Sequence, residues 1–267
     1  MATQMLPFSP DAPNKNRVKP TPQLDFSEKE MVDRLLYRDA HLLVFNKPAG
    51  IAVHIGANAP VSIEQFFGHL RFGLPKPPVL AHRLDRETSG CLVLGRHRQA
   101  TAKLGELFQH NKVQKTYHAL VVGTPEAPEG TIDRPILKSG QGSRWRITLD
   151  AAGQPAITEY RVLATGEGVS LLELKPHTGR THQLRVHCAY ALGCAIIGDP
   201  FYGTKEGVFA NREANLMLHA SEVQIPYDIK KSVVHAVASF PDHFSAMAKY
   251  AGIDITRLQQ PSAPHTA

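Results

Sequence analysis

Apolar residues come in short runs along this chain, and the spacing within each run predicts its element. HLLVF (41–45) and CLVL (91–94) are continuous apolar stretches of strand length. Tyr117, Ala119 and Val121 alternate with His118, Leu120 and Val122, which suits a strand buried on both faces. ITEYRVL (157–163) and VSLLELK (169–175) read as two strands joined by a Gly-containing turn, a hairpin pattern. VVHAVASF (233–240) predicts a late strand. Leu104, Leu107 and Phe108 fall at helical spacing, so 99–109 reads as an amphipathic helix. A second helix is expected from Thr181, as N-cap, to Gly193, and a last one over PDHFSAMAKYAG (241–252). No regular strand–helix–strand alternation and no internal repeat is present, so the pattern is α+β, built on a mixed sheet.

Composition narrows this picture modestly. The 267 residues are 42% hydrophobic and 20% charged, as expected of a soluble globular protein able to bury a core. Residues 1–23 carry Pro7, Pro10, Pro13, Pro20 and Pro22 and read as a flexible basic tail. One continuous domain is expected over 24–260, followed by a disordered tail at 261–267. The N-terminus has no apolar signal-peptide core, and no apolar run approaches membrane-spanning length. A cytoplasmic location follows as the expectation. Cys91, Cys188 and Cys194 are odd in number and set in apolar surroundings, so they read as buried free thiols. None forms a C-x-x-C pair, which argues against structural zinc. A net charge of +6 is compatible with a nucleic-acid partner without requiring one.

The informative segment is AHRLDRETSGCLVLG (81–95). It sets Asp85 between Arg83 and Arg86 on a turn that leads into a buried strand. Flanking guanidinium groups are expected to keep the carboxylate ionised and to give the turn a positive field. An ionised carboxylate beside a surface that attracts phosphate points to chemistry on a nucleic acid. On charge spacing alone, a surface ion pair remains the commoner explanation.

The complete string HRLDRETSG resembles the H-R-L-D-x-x-T-S-G signature of the RluA family of RNA pseudouridine synthases, with every fixed position matching. NKPAG (46–50) with Val53 and His54 resembles the family's opening motif. KTYHALVVG (115–123) resembles the strand carrying its tyrosine, and GQPAITEYRVL (153–163) the strand after it. KPHTGRTHQLRVH (175–187) matches G-R-x-H-Q-[LI]-R-x-H, and GDPFYG (198–203) and LMLHA (216–220) fit the closing elements. The resemblance runs in order from about Tyr37 to about Pro241. It implies a curved, mainly antiparallel central sheet flanked by helices and split by an RNA-binding cleft. The compact form of the family, without a separate RNA-binding domain in front, is the expectation.

The resemblance also implies roles. Asp85 would act at the sugar, as nucleophile or as base. Arg185 would hold that carboxylate with its planar fork, and Tyr117 would stack on the uracil and help move its C5 proton. Arg180 would meet phosphate, with the reverse assignment of Arg180 and Arg185 left open. Arg83 would enter the space left by a flipped base or pair with phosphate, with Arg86 beside it, and His82 would either contact RNA or hold the shape of the turn. Lys47, Lys175 and His182 would form an RNA-contacting rim, with Arg144, Trp145 and Arg146 as a weaker addition. The isomerisation gains and loses no atoms, so no cofactor and no metal are expected. The implied partner is RNA, as a tRNA or large-subunit rRNA stem-loop, and a monomer is the default. Two other readings stay open from sequence. One is a noncatalytic RNA-binding or RNA-chaperone protein on the same fold. The other is a metal hydrolase using His177, His182 and His187, whose spacing matches no metal-site motif.

Overall fold

The computed structural model describes residues 25–56, 59–140, 146–203, 215–228 and 232–259. Both terminal tails therefore lie outside the described residues, as do Arg144 and Trp145. The domain opens with helix α1 (Glu28–Asp33), which sequence reading had not anticipated. A capping box starts it: the Ser27 hydroxyl accepts from the Glu30 amide while the Glu30 carboxylate accepts from the Ser27 amide. Strands β1 (Leu35–Arg38) and β2 (Leu42–Lys47) follow, then a 3-10 helix at Ile63–Leu70, β3 (Val79–Leu80) and β4 (Ser89–Gly95). Helix α2 (Arg98–Gln109) matches the predicted amphipathic segment and is capped by the His97 ring, which accepts from the Ala100 amide. Next come β5 (Gln114–Val122), β6 (Glu129–Asp133), β7 (Ile136–Ser139), β8 (Arg146–Leu149) and the hairpin of β9 (Ile157–Gly166) with β10 (Val169–Pro176). A short helix, α3 (Gln183–Val186), is followed by β11 (Leu218–Ile225), β12 (Val234–Val237) and α4 (Asp242–Tyr250).

One sheet organises the described residues, in the order β1-β2-β4-β11-β5-β10-β9-β6, with β3 beside β4 and β12 beside β11. Every pairing in it is antiparallel except β4 with β11, which meet in parallel at Ser89–His219 and Gly90–Ala220. That junction joins the two halves of the sheet directly behind the Asp85 turn. It also requires a glycine. Gly90 sits at φ +106°, and a Cβ there would lie 2.1 Å from the Ala220 carbonyl oxygen. Apolar packing covers both faces. One core gathers β5, β10 and α4 around Leu120, Leu172 and Phe244; another packs Phe45, Phe67 and Leu92.

The structure corrects the expected helix at Thr181–Gly193. Residue 182 is not helical: His182 lies in the left-handed region at φ 55°, and α3 begins only at Gln183. After one α turn the chain widens into a π turn at His187–Ala191, closed by a bond from the Leu192 amide to the His187 carbonyl. Gly193 then ends the segment at φ 66°, as its position predicted.

Candidate active site

The turn that carries Asp85 is fastened to the NKPAG loop. The Arg86 carbonyl accepts from the Gly50 amide at 3.0 Å and from the Lys47 amine at 3.0 Å. The Arg86 guanidinium returns a bond to the Gly50 carbonyl, also at 3.0 Å. Lys47 spends its other two protons on the carbonyls of Pro48 and Ile51. The turn closes on itself through the Thr88 amide to the Asp85 carbonyl. Beyond it, the Ser89 hydroxyl meets His219 Nδ1 at 2.8 Å, tying the start of β4 to β11. The paired loops thus hold the backbone at Asp85 while its side chain projects into the cleft.

Asp85 finds its partner 100 residues along the chain: Arg185 Nη1 donates to its carboxylate at 3.1 Å. The flanking arginines were expected to supply that field. They do not pair with it, because in this turn Arg86 points back to Gly50 and Glu87. Arg185 is 3% exposed and is itself gripped from behind. Its Nε and Nη2 each donate to Asp199 at 2.7 Å, a bidentate pair whose carboxylate is fully buried. Asp199 also accepts from the amides of Phe201 and Tyr202. Burial alone would lower the Arg185 pKa. The Asp199 bond and charge, with a smaller part from Asp85, overturn that and raise it. The rings of Phe201 and Tyr202 each stand 5.3 Å from the guanidinium carbon.

Around Asp85 opens a cleft of about 110 Å³ lined by Arg83, Thr88, Lys115, Tyr117, Arg180 and His182, among others. Tyr117 comes from β5. Burial, and then the charge of Asp85, push its phenol well above the usual range, so it stays protonated at neutral pH. His182 Nε2 stands 3.8 Å from the Asp85 carboxylate, and its Nδ1 is 2.8 Å from the Tyr202 hydroxyl. Burial, then the nearby Arg185 charge, lower the His182 pKa and leave a neutral imidazole. The loop before α3 is shaped by Gln183. Its carbonyl oxygen accepts from the Thr178 hydroxyl and the Arg180 amide, while its NH2 donates to Ile157 and Thr158.

Several rim assignments change. Lys47 is completely buried and committed to three carbonyls, so it is no RNA contact but a staple of the Asp85 turn. His82 accepts from the Val93 amide and stacks on Phe108 at 4.3 Å. Burial pushes its pKa down to about 3, which makes it a neutral structural ring instead of a cation for phosphate. Arg86 is turned to the NKPAG loop, as described. Lys175 lies on the outer face of β10, bonded to Glu173 at 3.1 Å, away from the cleft. Arg83 and Arg180 do line the cleft and are exposed; Arg180 also donates to the Pro155 carbonyl. The open choice between Arg180 and Arg185 resolves to Arg185 as the carboxylate's partner.

His177, His182 and His187 disperse to Glu159, Tyr202 and the Thr158–Arg134 pair respectively. Among the described residues no group of His, Cys, Asp or Glu is placed to hold a metal ion. Sequence reading gave no role to Asp199 or Lys115. Both stand inside family motifs, KTYHALVVG and GDPFYG, and the two-residue period that sets Tyr117 toward one face sets Lys115 on that face too.

Comparison with known proteins agrees with this geometry. Residues 41–190 match the RNA pseudouridylate synthase family. An uncharacterized RNA pseudouridine synthase of Zymomonas mobilis is 42% identical over 216 residues, covering 80% of this chain and 97% of the relative. A ribosomal large subunit pseudouridine synthase C of Buchnera aphidicola is 34% identical, covering 81% and 70%. The solved structure of human RNA Pseudouridylate Synthase Domain Containing 4 superposes with a TM-score of 0.73 at 28% identity, over 85% of this chain and 96% of that one. A signature carboxylate open to a cleft, on this sheet and with these relatives, makes the chain a member of the RNA pseudouridine synthase family, isomerases of RNA uridine.

Proposed function

We propose that the protein isomerises particular uridines of a structured RNA, a tRNA or large-subunit rRNA stem-loop, with Asp85 acting at the sugar carbon of a flipped-out nucleotide. The observation that carries this reading is the chain Asp85–Arg185–Asp199. It leaves one carboxylate oriented, 28% exposed and open to the cleft, while the other is sealed behind the arginine. Such a carboxylate can attack the sugar or remove a sugar proton. Tyr117, kept neutral, can pack on the base and hand on a proton as C5 takes the place of N1. Exposed Arg83 and Arg180 suit the vacated stack and the phosphates. A relative named for the ribosomal large subunit supports the rRNA arm. The reaction needs no cofactor, and the enzyme works as a monomer in the cytoplasm.

The test uses tRNA and rRNA pools carrying tritium at C5 of uridine, incubated separately with the protein. Release of tritium to water from one pool, followed by mapping of the modified position, names the substrate. A folded protein that binds RNA but releases tritium from neither pool contradicts the proposal.

A further inference from the structure

Lys115 is a cation without a counter-charge. Its side chain is half-buried on β5 and lines the Asp85 cleft, yet its amine makes no hydrogen bond or ion pair with any described residue. Burial lowers the Lys115 pKa, and no carboxylate acts against that shift. Lys47, also buried, shows what a structural lysine looks like here: three protons, three carbonyl acceptors. Lys115 is half-buried with no such acceptors and lines the cleft, so its amine is open to a group that enters there.

Its place on the strand narrows what that group is. Lys115 and Tyr117 share one face of β5, about 6–7 Å apart along the strand. Asp85, Tyr117 and Lys115 line the same cleft, so a uridine with its sugar at Asp85 and its ring against Tyr117 has the Lys115 ammonium in the wall beside it. Arg185 has no charge to spare, being held by two carboxylates. The exposed arginines stand ready for phosphates.

Resting on the isomerase reading above, we propose that Lys115 is a further catalytic residue: its ammonium meets the carbonyl edge of the uracil and stabilises the base while it is detached. When the C1′–N1 bond breaks, its electron pair goes to N1, and the departing uracil is a monoanion with charge spread over N1 and the carbonyl oxygens. C5 then bonds to C1′, the C5 proton leaves, and N1 takes up a proton. The anion exists only between those two bonds, so a cation aimed at it accelerates the step without tightening the initial complex.

The experiment is single-turnover tritium release with enzyme in excess, on the labelled RNA pool that the wild type modifies, beside RNA affinity by filter binding. Lys115→Met is expected to slow release by about 10²-fold or more, with affinity for the RNA unchanged. Lys115→Arg is expected to recover part of the rate. It should also abolish an alkaline fall that the wild type shows as Lys115 loses its proton below the usual 10.5. If Lys115→Met fails to fold, the rate and pH profile of Lys115→Arg decide instead. A wild-type rate in Lys115→Met overturns the proposal. So does weakened affinity with an intact rate and a shallower salt dependence, which marks a phosphate contact. Absence of release by the wild type itself would instead overturn the isomerase reading.

Discussion

Arg185 has a carboxylate on either side, and the fold treats the two differently. Asp199 is fully buried and saturated: it accepts two guanidinium bonds and two backbone amides within one short stretch of chain. Asp85 is partly open, takes one bond from the same arginine, and sits on a turn held by backbone contacts from the NKPAG loop. A buried carboxylate that accepts four hydrogen bonds is anchored and chemically idle. One that keeps lone pairs facing a cleft, with its orientation set by a partner that cannot move, is available for chemistry. The asymmetry lets one arginine serve structure and reaction together.

Substitutions that separate the two sides sharpen this contrast, and the largest effect belongs to the sealed side. Asp199→Ala strips Arg185 of its bidentate partner and leaves a charge underpaired in the interior. A loss of about 3–5 kcal/mol in urea unfolding is expected, with activity falling alongside. A stability close to wild type would put the anchor elsewhere. Gly90→Ala should follow, since its backbone conformation alone costs about 1–3 kcal/mol and the new Cβ meets the Ala220 carbonyl. Because Gly90 lies between the Asp85 turn and β11, its rate of tritium release should drop further than its stability suggests. Lys47→Met is expected to cost about 1–3 kcal/mol through carbonyls left without a donor, and to loosen the turn while the Arg185–Asp199 pair stays intact. An unchanged rate in that variant would show that the NKPAG staple does not position Asp85.

A fourth effect is global and set by pH. Burial holds the pKa values of His118 and His219 near 4 and that of His82 near 3, against the usual 6.5. Below pH 6.5 the unfolded chain therefore binds protons that the folded chain refuses. Stability contributed by these rings is complete above 6.5 and is lost as pH falls toward 4. Urea midpoints measured from pH 7 to 4 should decline. Replacing His82, whose ring stacks on Phe108, by Gln should flatten part of that decline.

The sequence made some of this readable and hid the rest. Strands β2, β4, β5 and β10 announce themselves because they are central and buried, so their apolar runs are nearly unbroken, while the partly buried β9 is legible through its hairpin with β10. Strands β6, β7 and β8 escaped because they are exposed on one side and short, with little apolar pattern to read. Helix α3 was overestimated: His182 adopts a left-handed backbone that nothing in T-H-Q-L signals. Asp85, Tyr117 and Arg185 were named from motifs, and the structure brings Asp85 and Arg185 into contact. Lys47 and His82 stood in those same motifs but serve the turn's architecture, since a motif records that a residue matters without recording whether its side chain faces in or out. Asp199 was missed because its function is to hold another side chain, a relation that spacing along a chain cannot express.

The most direct test of the account is Asp85→Asn, which keeps the size of the side chain and removes its charge. Tritium release from C5-labelled uridine in the RNA that the wild type modifies should vanish, while urea stability and RNA affinity stay close to wild type because Asp199 still anchors Arg185. Release by Asp85→Asn at a rate near that of the wild type would contradict the assignment of the sugar chemistry to Asp85.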